Sequence, residues 1–335
     1  MVNVELFDDL DAVEHDAAGA LDRSAQPCLY SRLSWFRLLE RHCPPEGRLK
    51  VARARSQDRS AWLFLANGGR HADGYAAWYS LRVGAVGDAT LVPAIAAALR
   101  RERLDSLSLS PVADAAPIVA ALRRGGWKVA ATPASGNWIT RTKGMTFHDY
   151  WAQRPGQLRN TVRRKAKAGD FEITIQDYFD PDSWADYEAV YRASWKPEEG
   201  SFRFLRALAE QEGAAGTLRL GIARKHGRPV AVQLWTIERG EATIHKLAYA
   251  EDAKALSPGT LLGMAMFHRA IDEDRVQLID YGTGDDAYKR DWMETRRTRY
   301  RLTALKPGDP RNWPMLARLL VKARLRRLAS PKRAG

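Results

Sequence analysis

The chain has 335 residues, of which 45% are hydrophobic and 28% are charged, a composition typical of a folded globular protein and not of a disordered one. It contains no apolar run of about 18 residues, so we expect no membrane-spanning helix. The formal net charge is +13, which favours polyanionic partners over cationic ones.

Cysteine usage and the first residues bear on the cellular compartment. Two cysteines, Cys28 and Cys43, are too few in a chain of this length to predict a disulfide framework. The first 20 residues are acidic and lack the apolar core of a signal peptide. We therefore expect a cytoplasmic protein.

The excess positive charge is concentrated in two segments. Residues 154–168 contain six basic and no acidic residues, and residues 316–335 contain seven basic and no acidic residues. Such segments attract nucleic acid, an anionic membrane surface or a phosphorylated cofactor, or they are solvated helix faces. The second segment has the pattern of an amphipathic basic helix, which keeps a membrane-peripheral location open.

The first part of the chain reads as an α/β block of about 145 residues. Hydrophobic periodicity and turn residues predict its elements in this order: a helix over 31–43, strands over 60–68 and 74–85, a helix over 91–102, a strand over 104–112, then a helix and two strands within 115–141.

The second part repeats this order of elements, which indicates a duplication. The predicted elements are helices within 146–170 and 181–195, a three-stranded meander over 217–250, a helix over 257–274, a strand over 276–282, a short helix over 285–293, a strand over 298–306 and a helix over 312–328. The predicted domains are therefore residues 1–145, residues 146–310, and a basic helix and tail over 311–335.

One helix start in the second part is suited to hold an anion. A strand containing His245 leads into a loop, and the next helix begins with Ser257 at the N-cap, then Pro258, Gly259 and Thr260. The first N–H groups of a helix have no partner within it, and they lie at the positive end of the helix dipole. Ordinary capping explains the same residues without any ligand.

The order of strand, anion-ready helix start, helix, strand and short aromatic helix resembles the GNAT acyltransferase superfamily. The stretch "HKLAYAEDAKALSPGTLL", followed by "DYGTGDDAYKRDWM", is similar to its CelD-like branch, which occurs in cellulose- and exopolysaccharide-associated proteins and is related to the Fem-type peptidyltransferases. The segments "RPGQLRNTVRRKAK" and "VYRASWKPEE" match the same pattern. The resemblance implies two tandem α/β (α+β) domains, each with a mixed, mostly antiparallel sheet flanked by helices, the first domain being degenerate.

The resemblance also implies a cosubstrate and a place for its phosphates. Acetyl-CoA, or another acyl-CoA, would bind through the backbone of Ser257, Pro258, Gly259, Thr260 and Leu261. The superfamily loop Gln/Arg-x-x-Gly-x-Gly/Ala is only partly matched, because "ALSPGTLLG" lacks the leading basic residue and has a single glycine in the loop proper. No spacing of His, Cys and Asp suggests a metal site.

Two residues are the candidates for the chemistry of the leaving group. The resemblance implies that Tyr288 protonates the departing thiolate, and an unperturbed tyrosine pKa of about 10 suits that role. Lys289 would stabilise a developing oxyanion or contact the donor. Tyr288 could instead be a core residue of the short helix, and Lys289 could simply be exposed to solvent.

Five further residues are expected on the acceptor side. Asp280 ends a strand at the cleft edge, Asp285 follows Gly284 at the start of the short helix, and Trp195, Lys196 and Glu199 lie in or beside a loop over the cleft. Packing and helix capping are the alternative roles for these side chains.

His245 is the candidate general base, because a neutral imidazole has a suitable pKa. In an alternating strand its side chain could equally face away from the site. Positioning alone can supply much of the acceleration, so a dedicated base is not required.

These observations predict an N- or O-acyltransferase that transfers an acyl group, most simply acetyl, directly to its acceptor in a ternary complex. The expected acceptor is an amine or hydroxyl, as in an amino sugar or a polysaccharide precursor. Two alternatives stay open: a Fem-type transferase that uses aminoacyl-tRNA, and a non-catalytic protein that binds nucleic acid or membrane through its basic segments.

Overall fold

The chain divides into two units, each built around its own strands. A computed structural model describes residues 2–168, 171–308, 310–314 and 317. The first unit contains Met1–Glu40, Pro44–Ala134 and the described residues from Thr298 onward, and the second contains Arg41–Cys43 and Ser135–Arg297. Most of the predicted basic helix and tail over 311–335 lies outside the described residues.

The first unit alternates strands and helices. Its elements are β1 (Asn3–Phe7), α1 (Leu10–Ala17), α2 (Leu33–His42), β2 (Arg48–Ser56), β3 (Arg59–Asn67), β4 (His71–Gly74), β5 (Val86–Gly87), α3 (Val92–Arg101), β6 (Ser106–Val112), α4 (Ala115–Arg124) and the first residues of β7 (Lys128–Arg141). The side chains of Asp9 and Asp114 cap α1 and α4 by accepting hydrogen bonds from backbone N–H groups.

Within the first unit the strand order is β1-β2-β3-β4-β6, followed by the C-terminal half of β13 (Thr295–Leu305). All these pairs are antiparallel except β4 and β6, which run parallel. The buried leucines Leu63, Leu99 and Leu107 belong to one core that β3, α3 and β6 share.

The second unit has the richer set of helices. After the end of β7 its elements are α5 (Phe147–Ala152), α6 (Gly156–Ala168), β8 (Glu172–Gln176), α7 (Pro181–Arg192), α8 (Phe202–Ala214), β9 (Leu218–Lys225), β10 (Arg228–Glu238), β11 (Glu241–Tyr249), α9 (Pro258–His268), β12 (Leu278–Thr283), α10 (Lys289–Trp292) and the start of β13.

Within the second unit the strand order is β7-β12-β11-β10-β9-β8, and only β11 and β12 run parallel. One apolar core joins the sheet to α9, where the rings of Trp235 and Phe267 meet edge to face with centroids 5.2 Å apart. Mixed, mostly antiparallel sheets flanked by helices confirm the predicted fold class.

Four predictions differ from the structure. The two strands predicted within 115–141 are one strand, β7. Residues 75–85 are not a strand, because β4 ends at Gly74 and β5 is only two residues long. The helix predicted within 146–170 is two helices, since Pro155 interrupts the pattern before α6. The short helix begins at Lys289 and not at Asp285, so neither Asp285 nor the next residue, Asp286, lies at its N-cap.

No described helix has both the length and the apolar character needed to cross a membrane. Cys28 and Cys43 are both free thiols.

A buried ion pair joins the residues that follow α9 to the sheet of the second unit. Arg219 of β9 donates from Nε and Nη2 to the carboxylate of Asp274, at 3.1 and 2.5 Å. Both residues are buried at their side chains. Because water cannot replace a lost partner at such a site, removing one charge leaves the other uncompensated.

Replacing Asp274→Asn should therefore lower the free energy of unfolding by about 3 kcal/mol, measured by urea denaturation. The matched control is Glu210→Gln, which breaks the exposed pair between Arg206 and Glu210 one helical turn apart. That control should cost under about 0.5 kcal/mol. Equal effects of the two substitutions would contradict the structural role of the buried pair.

Candidate acyl-transfer site

The candidate site lies where two parallel strands of the second unit separate. The parallel pairing of β11 with β12 covers only Glu241–Thr243 and Leu278–Asp280. Both strands continue beyond it, to Tyr249 and Thr283. A cavity of about 280 Å³ lies at this separation. Its lining residues are Trp195, Gln233, Leu247, Tyr249, Lys254, Ser257, Gly259, Thr260, Gly263, Tyr281, Tyr288 and Trp292.

A β-bulge in β11 sets which side chains face the cavity. Opposite β10, Lys246 pairs with Leu234 but Ile244 pairs with Trp235, so His245 is an extra residue in the ladder. A bulge of this kind shifts the alternation of side chains along the strand by one position. Leu247 and Tyr249 consequently line the cavity on the same side as the core residue Ile244.

The start of α9 forms the polar end of the cavity. Ser257 has left-handed backbone angles (φ 56°), and it occupies the N-cap position without a capping hydrogen bond from its side chain. Its carbonyl accepts from the N–H groups of Thr260 and Leu261. Pro258 has no N–H, so the N–H of Gly259 is the first donor of the helix that a ligand could use.

Two glycines of α9 leave room for a ligand. A Cβ at Gly259 would lie 3.1 Å from Cδ1 of Tyr249, and a Cβ at Gly263 would lie 3.2 Å from Cη2 of Trp292. Side chains at these positions would therefore press on the walls of the cavity. Beside Gly259, Gln233 of β10 donates to the Gly259 carbonyl at 3.3 Å and accepts from Nε1 of Trp235 at 2.9 Å.

Two tyrosines meet at the other end of the cavity. The rings of Tyr281 and Tyr288 lie edge to face with centroids 5.8 Å apart, and a hydrogen bond joins their hydroxyls. Burial and the negative charge of Asp286 raise the pKa of Tyr288 above its ordinary value. Burial also raises the pKa of Tyr281. Both phenols therefore keep their protons near neutral pH, which a proton donor requires.

Lys289 is buried, with 4% of its surface exposed. Its Nζ donates to the carbonyl of Thr283 at 2.8 Å and lies 3.3 Å from the carboxylate of Asp286. Burial lowers the pKa of Lys289. The residue does not line the cavity, and its contacts join the two ends of the loop that bears Tyr288.

Asp280 and Asp285 are both engaged by the protein itself. The Asp280 carboxylate is buried, and it accepts from the side-chain amide of Asn137 at 2.6 Å, the N–H of Gly282 at 2.8 Å and Arg297 at 3.1 Å. The arrangement favours a structural role in the second half of β12, where the register against β7 shifts.

Asp285 accepts two hydrogen bonds from Arg296, at 2.9 and 2.6 Å, and one from Nε1 of Trp138 at 2.9 Å. These hydrogen bonds lower the pKa of Asp285 to about 2. Neither aspartate is among the residues that line the cavity.

His245 lies outside the cavity lining as well. Its Nε2 is 2.8 Å from the hydroxyl of Thr236 on β10. Burial lowers the pKa of His245 to about 4, so the imidazole is neutral at physiological pH. Neutrality suits a base, but the bulge directs the alternation of β11 so that Leu247 and not His245 reaches the cavity.

The residues after α7 form one side of the cavity mouth. The Trp195 ring lines the cavity and lies 4.1 Å from the Tyr249 ring, centroid to centroid. Glu199 is buried and pairs with Lys246, with Nζ 2.8 Å from Oε2. Lys196 lies next to Trp195, with its Nζ 5.8 Å from the centre of that ring.

Among the predicted site residues, the cavity brings together Trp195, Ser257, Gly259, Thr260 and Tyr288. Sequence reasoning missed Gln233, Tyr249, Tyr281 and Trp292. A signal existed for Gln233, an amide side chain in the middle of the mostly apolar run "VAVQLWTI". No sequence signal marked Tyr281, because an aromatic residue at the end of an apolar strand is equally typical of a hydrophobic core. Among the described residues, no group of three or more His, Cys, Asp and Glu side chains could hold a metal ion.

Comparison with known proteins agrees with this geometry. Residues 152–290 match the family described as an acetyltransferase (GNAT) domain. No curated protein matches the sequence significantly.

Solved structures resemble the chain over nearly its whole length. The C-terminal domain of a putative lysylphosphatidylglycerol synthetase from Agrobacterium fabrum has a TM-score of 0.60 at 15% identity, covering 92% of this chain and 95% of that one. FemX has a TM-score of 0.59 at 10% identity, covering 89% and 96%. The L-PGS structure from Bacillus licheniformis has a TM-score of 0.55 at 15% identity, covering 86% and 94%.

At these identities the likeness shows a shared fold and not a shared substrate. The residues that match the family include β10, β11, β12, the start of α9 and the loop that bears Tyr288, all of which contribute to the cavity. Residues 152–290 therefore match a GNAT-type acetyltransferase domain, and this match supports an acyltransferase.

Proposed function

We propose that the chain transfers an acyl group, most simply acetyl, from acyl-CoA to an amine or hydroxyl acceptor such as an amino sugar or a polysaccharide precursor. The single observation that carries the proposal is the cavity between β11 and β12, with an open helix start at one end and a tyrosine pair at the other. Placement in the CelD-like branch is part of the same proposal.

The donor phosphates would lie at the start of α9. The N–H of Gly259, the first donor of the helix that a ligand could use, would donate to the pyrophosphate, and the helix dipole would add to the attraction. Lys254 lines the same end of the cavity and supplies a positive charge. Lys254 directly precedes "ALSPGTLLG", the stretch that lacks a basic residue at the head of its loop, and its Nζ is paired with Glu251 at 3.0 Å.

The acyl group would then lie towards Tyr281 and Tyr288. The acceptor attacks the thioester carbonyl directly, and Tyr288 gives its proton to the departing thiolate. Tyr281, hydrogen-bonded to Tyr288, is suited to stabilise the phenolate that this transfer leaves behind. Trp195 would cover the acceptor side of the cavity mouth.

We prefer acyl-CoA over aminoacyl-tRNA as the donor. The start of α9 would accommodate the pyrophosphate and the tyrosine end of the cavity the thioester, so no separate surface for a macromolecular donor is required. Binding of nucleic acid or membrane by the basic segments stays a separate prediction.

Acetyl-CoA should bind and stabilise the folded protein. At a concentration 100 times the Kd, a ligand specific for the folded state adds about 2.7 kcal/mol. Thermal shift and calorimetry with acetyl-CoA, longer acyl-CoAs and free CoA measure this effect. A folded sample whose melting temperature is unchanged by all of them would contradict the proposed donor.

The substitution Tyr288→Phe should lower turnover about 10²-fold, because it removes the proton donor. Donor affinity should be unchanged, because the ring is kept. Release of the CoA thiol from acetyl-CoA, with and without glucosamine as an acceptor, measures turnover. The matched control is the exposed Tyr178→Phe, which should have no effect. Unchanged turnover in the Tyr288 variant would remove this residue from the mechanism.

The substitution Gly259→Ala should weaken acetyl-CoA binding about tenfold, equivalent to about 1.4 kcal/mol. The added methyl group would press on Tyr249, 3.1 Å away, at the end of the cavity assigned to the phosphates. Gly156→Ala, where nothing lies within 4 Å of the new atom, is the matched control for calorimetry. Equal affinities of the two variants would show that the phosphates lie elsewhere.

A further inference from the structure

Lys196 is a half-buried lysine at the mouth of the cavity. Among the described residues, its Nζ has neither an ion pair nor a hydrogen-bond partner. Its neighbours are two rings, and Nζ lies 5.8 Å from the centre of the Trp195 ring and 5.9 Å from the centre of the Tyr191 ring. Among the described residues, this primary amine therefore contacts two rings and has no ion pair or hydrogen bond.

Burial, more than the surrounding charges, disfavours the ammonium form of Lys196. Glu199 and Asp286 are the nearby acids, and each is already paired, with Lys246 at 2.8 Å and with Lys289 at 3.3 Å. The Tyr191 hydroxyl also bonds to Glu199. Burial first, and then the charge of Lys246, lower the pKa of Lys196 to about 8. Near pH 8 about half of the Lys196 amine is neutral, roughly a hundredfold more than for an ordinary lysine.

The position of Lys196 matches the acceptor side of the proposed reaction. Its sequence neighbour Trp195 lines the cavity, and the charges of Asp286 and Lys289, which act on it, flank Tyr288 in the sequence. Lys196 thus places a primary amine beside Trp195, a residue that lines the same cavity as Tyr288.

We propose that, when no acceptor is bound, the side-chain amine of Lys196 takes the acyl group from the bound donor, so that Lys196 is a self-acylation site. This inference rests on the proposed acyl-CoA function.

The step balances without a further reactant. The Nζ lone pair attacks the thioester carbonyl carbon, a C–N bond forms, and the C–S bond breaks with its electron pair leaving on sulfur. Tyr288 gives its proton to the thiolate, which becomes the free thiol of CoA, and the attacking amine releases one proton to solvent. The Tyr288 phenolate takes up one proton from solvent, so no net proton is gained or lost. The products are CoA and an amide on Lys196, which no longer titrates.

The test is incubation of the full chain with acetyl-CoA at pH 8, followed by peptide mass spectrometry at each lysine. Acetylation of Lys196 should be at least about tenfold faster than at the exposed Lys143, and excess free CoA should suppress it. Acetyl phosphate, which has no CoA moiety to bind, serves as a second acetylating agent. The variant Lys196→Arg should lose the label and still bind acetyl-CoA, and Lys143→Arg should keep the label at Lys196.

The outcomes separate this inference from the proposed function. Binding of acetyl-CoA by calorimetry without preferential labelling of Lys196 overturns the self-acylation site and leaves the proposed function standing. Equal labelling by acetyl phosphate, insensitive to free CoA, also overturns it, because the reactivity would then belong to the amine alone. Absence of acetyl-CoA binding overturns the proposed donor itself.

Discussion

The separation of β11 from β12 is the constraint on which the candidate site depends. Two parallel strands that stayed paired to their ends would satisfy each other's backbone groups and leave no space between them. Here the parallel pairing ends at Thr243 and Asp280. The cavity, the helix start at Ser257 and the tyrosine pair are all arranged around that separation.

Polar groups close to this separation hold it in place. The Asp280 carboxylate accepts from the N–H of Gly282 and from Asn137, so the second half of β12 is fixed by side-chain contacts. On the other strand, the bulge at His245 shifts the side-chain alternation. His245, predicted as the general base, and Asp280, predicted on the acceptor side, have contacts that shape the site from outside the cavity.

The elements of the fold were largely predictable, because hydrophobic periodicity follows local backbone geometry. The helix start at Pro258 and the strand ending near Gly282 were placed by that pattern. What the pattern cannot supply is the direction of a side chain after a bulge, since a register shift is a property of two strands together. Tyr281 was missed because an aromatic residue at the end of an apolar strand is equally typical of a core. Lys289 was placed near the site, but its burial and its hydrogen bond to the Thr283 carbonyl could not be foreseen.

The loop that bears Tyr288 is tied down at both ends, by Lys289 on the Thr283 carbonyl and by Asp285 on Arg296. Opening the loop would leave the buried Lys289 ammonium without its hydrogen-bond acceptor and would break the ion pair of Asp285 with Arg296. The loop is therefore unlike a hinge. On the opposite side of the mouth, Trp195 is 47% exposed and is joined to Tyr249 by ring contact. A bulky product would thus have to depart past the tryptophan, and the slowest step of a reaction cycle could be set by that ring and not by the tyrosines.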